Sequence, residues 1–117
     1  MNRRTRAHVI AIGALLCCLL SGGAQAQNAT QGKMIYAGRC AFCHGATGKG
    51  DGPAGAALKP APTNFAHAEF WKNTKAEAIE DAIVHGKPGT AMIAFQASLT
   101  AQRIADVIVY VKTLQPQ

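Results

Sequence analysis

The chain has 117 residues and carries twelve lysines and arginines against six acidic residues, a formal net charge of +6. That length suits one small domain. The basic residues form no clustered stripe, so the composition gives no nucleic-acid-binding face.

The chain opens on a basic start, Arg3, Arg4 and Arg6, followed by an unbroken apolar run from Val9 to Leu20 and then Ala24-Gln25-Ala26. This order of basic, apolar and small residues predicts a secretory signal peptide over residues 1–26, cut near Ala26. Twelve apolar residues fall short of the roughly 20 that span a bilayer, which predicts no stable membrane insertion of the mature domain, residues 27–117. Cys17 and Cys18 leave with the leader, so the mature chain keeps Cys40 and Cys43. Arg3, Arg4 and Arg6 leave too, so nine basic residues remain against six acidic ones, a net charge of +3. A core of 91 residues is marginal by itself, and domains of this size often add disulfides or a bound metal group.

After a short polar lead, a first helix is expected from about Gly32 to Ala41, with Met34, Ile35 and Tyr36 as its apolar contacts. At its C-terminal end stands Cys40-Ala41-Phe42-Cys43-His44. The pattern C-x-x-C-H reads as a c-type haem attachment site: two thiols on one helical turn can each form a thioether, and the adjacent histidine is placed to bind iron. A thioredoxin-like pair would instead start a helix within a βαβ unit. A zinc site would need about four ligands, and adding His67 and His85 gives a spacing that matches no common zinc module.

From Gly45 to Pro62 the chain is rich in Gly, Ala and Pro and cannot sustain a long helix. It is expected as an ordered loop along one side of the cofactor. The Gly52-Pro53 turn is a candidate source of a carbonyl that would fix the His44 ring, since ligating histidines commonly donate their second N–H. Thr74-Lys75-Ala76-Glu77 matches a capping box ahead of a helix with Ile79, Ala82 and Ile83 on one face. That helix ends near His85, with Gly86 as C-terminal cap and Pro88 preventing continuation. Gly89 to Ala97 is a second loop holding Met92 and Phe95. A last helix is predicted from Ser98 or Thr100 to about Leu114, with Ile104, Val107, Ile108, Val111 and Leu114 at helical spacing.

Candidates for the second axial iron ligand are Met34, Met92, His67 and His85. Met34 shares a helix with the attachment site, whereas Met92 lies 48 residues past His44, in a loop able to reach the opposite face, and is preferred. His85 is its main rival, and His67 reads as a loop histidine. Iron with both axial positions filled has no ready site for substrate, which points to one-electron transfer and away from catalysis.

At these residues the mature chain resembles class I c-type cytochromes over nearly its whole length. The run GKMIYAGRCAFCHGATGKGDGPAGAALKPAPTNF is similar to the opening of small bacterial monohaem cytochromes, and GKPGTAMIAFQASLTAQRIADVIVYVKTL to their methionine loop and closing helix. The resemblance implies an all-α class I cytochrome c fold, three to four short helices and loops wrapped around one covalently bound haem c. It implies thioethers at Cys40 and Cys43 and axial ligation by His44 and Met92. Pro53 resembles the family proline whose carbonyl orients the histidine. Trp71 is placed either to contact a haem propionate, as a family Trp often does, or to pack ordinarily. Gly32 and Tyr36, with Val107 and Tyr110, resemble the family's crossed-helix contact. The longer Ala/Pro-rich loop Gly55 to Pro62 departs from the pattern.

The expectation is therefore a periplasmic electron carrier that is not itself an enzyme. It would exchange electrons with redox partner proteins, with Lys49, Lys59 and Lys87 available to steer an acidic partner. It would act as a monomer or, alternatively, as the cytochrome subunit of a larger dehydrogenase or oxidase complex. A haem enzyme or gas sensor would require a labile sixth ligand.

Overall fold

The computed structural model describes residues 25–117. The expected leader, with Cys17 and Cys18, lies almost wholly outside them. Five α-helical segments follow in chain order: α1 (Ala29–Arg39), α2 (Ala41–His44), α3 (Ala68–Asn73), α4 (Ala76–His85) and α5 (Ala101–Lys112). One 3₁₀ turn, Gly55–Ala57, interrupts the long loop between α2 and α3. No strand occurs among the described residues, and no helix there is long and apolar enough to cross a membrane.

Helix α1 starts three residues before the expected Gly32 because Asn28 caps it. The Asn28 side-chain oxygen accepts from the Thr30 and Gln31 amides at 3.0 and 3.1 Å. The spacing Asn28-x-x-Gln31 resembles a capping pattern and is the signal by which this start can be read. The Asn28 amide in turn donates to the buried carboxylate of Asp106 on α5, at 2.8 Å, and Gln102 Nε2 donates to the same oxygen at 3.0 Å. The N-terminus of α1 is thus tied to the middle of α5.

The two helices cross at Gly32. A Cβ placed there would lie 1.9 Å from the Asp106 carbonyl oxygen, so only a residue without a side chain allows the approach. One turn on, Tyr36 is 2 % exposed and packs its ring at 5.2 Å from that of Tyr110. This places Gly32, Tyr36 and Tyr110 at the crossing, with Val107 buried beside them.

Helix α5 begins where Thr100 Oγ accepts from the Arg103 amide and ends at Lys112. Leu114 follows in a closing turn, its amide donating to the Val111 carbonyl. Its Ile104, Val107, Ile108 and Val111 are buried with Tyr36, Phe65, Ile79, Ile83 and Leu99 as the core.

Helix α4 differs from expectation at its start. It begins at Ala76 after Lys75, and no side chain caps it. Thr74 stands two residues before the helix and faces the central cavity instead, so the capping box does not form. Its end is as the sequence suggests: Gly86 adopts φ +72°, and a Cβ there would meet the Met92 carbonyl at 2.7 Å.

Candidate haem site

The helices and the two loops enclose a cavity of about 600 Å³, within the range of pockets that hold organic cofactors. Cys40 closes α1, its amide donating to the Tyr36 carbonyl at 2.8 Å. The single turn of α2 then carries Cys43 and His44 to the same wall. The Tyr36 hydroxyl donates to the Gly45 carbonyl at 2.8 Å in a buried contact, which locks the end of α2 against α1. Cys40, Cys43 and His44 all face the cavity, and Met92 enters its lining from the loop after α4. The other walls are largely apolar, among them Leu58, Phe65, Phe70, Ile79, Ile83 and Val111.

His44 is held on two sides. Its ring stacks on Phe65 with centroids 5.0 Å apart and planes 17° from parallel. Its Nδ1 lies 3.2 Å from the Thr63 carbonyl oxygen. A carbonyl can only accept, so Nδ1 carries the proton and Nε2 is left with its lone pair for a metal. Burial pushes the His44 pKa down, and the Thr63 carbonyl only partly opposes this. Burial thus favours the neutral imidazole, and the Thr63 contact fixes the tautomer that leaves Nε2 free to ligate.

The carbonyl partner is a correction to the Pro53 expectation. Gly52 packs against the end of α2: its amide donates to the Cys43 carbonyl, and a Cβ there would sit 2.4 Å from the Ala41 and Phe42 carbonyl oxygens. Pro53 is consequently turned out to solvent. The loop reaches the imidazole only at Thr63, after passing the 3₁₀ turn. Pro62 immediately precedes Thr63, so the loop offers three rigid X-Pro steps, at Pro53, Pro60 and Pro62, and spacing alone does not choose among them.

At Trp71 the ordinary packing alternative is the one the contacts fit. Its Nε1–H donates to the Phe65 carbonyl at 2.7 Å, and its ring meets Phe70 edge-on at 5.0 Å. The indole therefore secures the loop segment that stacks on His44.

Of the four candidates for a second axial ligand, Met92 is the one that faces the cavity. Met34 is 58 % exposed on α1. His67 is exposed ahead of α3. His85 is exposed and bonded through Nδ1 to Asp81 at 2.8 Å. No three His, Cys, Asp or Glu side chains gather as a metal cluster among the described residues.

Burial raises the Cys40 thiol pKa to about 11; Arg39 lowers it and Cys43 raises it further, both by less. A redox dithiol needs the opposite shift, toward thiolate. Arg39 and Lys87 line the cavity, and no acidic residue does among those described. Lys49 and Lys59 are exposed along the loop.

The cytochrome c family model matches residues 29–115. The chain belongs to the cytochrome c family. As a cytochrome c domain it carries covalently bound c-type haem and transfers electrons, and the cavity fits that group: two thiols and an imidazole on one wall, a thioether on another, apolar surface between. The fold is similar to that of the c-type cytochrome KustC0563, with 28 % identity, a TM-score of 0.64, and coverage of 72 % of this chain and 96 % of that one. It is also similar to a chain of the reducing HAO-like protein complex of Kuenenia stuttgartiensis, at 29 % identity and a TM-score of 0.63. That match covers 73 % of this cytochrome and 41 % of the other chain, so this chain spans less than half of that relative. The dihydro-haem d1 dehydrogenase NirN, in complex with DHE, shares the fold at 23 % identity and a TM-score of 0.57, over 74 % of this chain and 16 % of its own. No curated protein matches the sequence.

Proposed function

We propose that this cytochrome is an exported, periplasmic one-electron carrier with one haem, ligated by His44 and Met92, and no catalytic activity of its own. The observation that carries the reading is the position of Met92 on the same cavity as Cys40, Cys43 and His44. A bound c-type haem supplies a one-electron Fe(III)/Fe(II) couple. Cys40 and Cys43 tether it, and His44 offers Nε2 because Thr63 and Phe65 fix the ring. The Met92 thioether would be the second protein ligand to the iron, and a methionine there would give a higher potential than a second histidine. Apolar walls from α4 and α5 exclude water. The single C-x-x-C-H motif, opening on a cavity of this size, supports a single haem. The basic, apolar and small-residue order of residues 1–26 supports export and cleavage near Ala26. Arg39 and Lys87, with no acidic residue lining the site, favour a partner with an anionic surface.

The test is spectroscopic. The oxidised holoprotein should show the weak far-red band of methionine bound to ferric haem, and the reduced form should bind carbon monoxide slowly. Met92→Ala should abolish the band and admit carbon monoxide promptly. A wild-type protein without the band that takes up carbon monoxide at once would make the chain a haem enzyme or sensor with an open iron.

A second reading, a cytochrome subunit of a larger complex, is favoured by the similarity to part of a chain from a multi-protein complex. Co-purification of a large catalytic subunit from the native source distinguishes it from the free carrier.

A further inference from the structure

We infer that Thr90 is a positioning residue, whose hydroxyl holds the main chain of Met92 in the register that presents its thioether to the cavity. The inference rests on the ligation of iron by Met92 proposed above. The Thr90 hydroxyl sits inside the loop after α4 and makes two bonds. It donates to the Lys87 carbonyl at 2.7 Å and accepts from the Met92 amide at 3.1 Å. The Thr90 amide donates to the same Lys87 carbonyl at 3.1 Å, and the Lys87 amide donates across the loop to the Met92 carbonyl at 3.0 Å. Both backbone polar groups of Met92 are therefore held, the carbonyl by the main chain and the amide by the threonine side chain alone.

The protein away from the cavity adds little support: Ala94 is exposed, and nothing lies within 4 Å of a Cβ placed at Gly89. The loop is anchored after the methionine, where the Phe95 amide donates to the Ile83 carbonyl at 2.9 Å. Before it, the close approach of Gly86 to the Met92 carbonyl fixes the other end. Between those anchors local hydrogen bonds hold the path of the main chain. Methionine has three rotatable side-chain bonds, so its side chain adds little rigidity and the backbone must provide it.

The test compares Thr90→Val, which keeps the shape and removes the hydroxyl, with Thr90→Ser, which keeps the hydroxyl. All are studied as holoprotein beside wild type and Met92→Ala. In Thr90→Val the far-red band should weaken, and the reduced protein should bind carbon monoxide about two- to tenfold faster, the range expected for one lost hydrogen bond. Hydrogen exchange at the Met92 amide should accelerate by a similar factor. Thr90→Ser should restore all three readings, and the α-helical circular dichroism should be the same throughout. Thr90→Ala replaces the valine variant if that one does not fold. A wild-type band with Thr90→Val unchanged in band, carbon monoxide rate and amide exchange overturns the role of Thr90 while leaving Met92 as ligand. A wild type without the band overturns the ligation itself, and this inference with it.

Discussion

Tyr36 links the two halves of the site's support through one oxygen. Its hydroxyl is buried and donates to Gly45, and burial is the main reason its pKa is raised, with Cys40, Tyr110 and Asp51 adding to it. The ordinary tyrosine value is about 10. The folded chain therefore holds the proton that the unfolded chain releases above that pH. This contribution to stability is fully present below about pH 10 and is lost as pH rises through the folded value. Tyr36→Phe leaves the Gly45 carbonyl without its donor and should cost about 1–3 kcal/mol at neutral pH. It should also flatten the decline in stability above about pH 10. Denaturant unfolding at neutral and alkaline pH measures both effects, and parallel declines in the two proteins would assign the alkaline loss to another group.

At the scale of elements, the α1–α5 crossing tolerates no side chain at position 32. Gly32→Ala should destabilise the fold by about 1–3 kcal/mol or more, as overpacking does, and lower Tm by roughly 5–20 °C. Gly38, on the same helix, has open space where a Cβ would stand. Gly38→Ala should instead raise stability by about 0.5–1 kcal/mol. Thermal unfolding of both variants tests the pair, and a Gly32→Ala protein that melts with wild type would place the crossing elsewhere.

The same elements show what a sequence can and cannot convey. Helix α5 was legible because its apolar residues recur at helical spacing and Thr100 is a side-chain cap in fact as well as in pattern. Helix α3 was not: six residues carry too little periodicity, and no side chain caps it. The Thr74–Glu77 pattern misled because Thr74 faces the cavity, a tertiary demand no local motif reveals. At the site, Cys40, Cys43 and His44 were legible because their spacing is itself the chemistry. The partner of His44 was not, since it depends on how about twenty residues of glycine-rich loop fold back over the ring.

At the scale of the whole molecule, six of the nine core residues among those described, Tyr36, Phe65, Ile79, Ile83, Val107 and Val111, also line the cavity. A large part of the core is thus a surface made to be covered. A Cys40→Ser, Cys43→Ser protein without bound haem should lose near-ultraviolet circular dichroism and bind ANS, while much of its helical signal persists, as in a molten globule. A haem-free variant with native near-ultraviolet signal and cooperative melting would show that the core closes by itself.

The contact between Asn28 and Asp106 joins positions 78 apart, and every cavity-lining residue except Val107 and Val111 lies between them. The chain that builds the cavity is thus closed on itself where α1 crosses α5. Opening that one crossing would free both ends of the segment that supplies the cysteines, His44 and Met92, so the contact farthest from the iron in sequence would govern how firmly all of them are held.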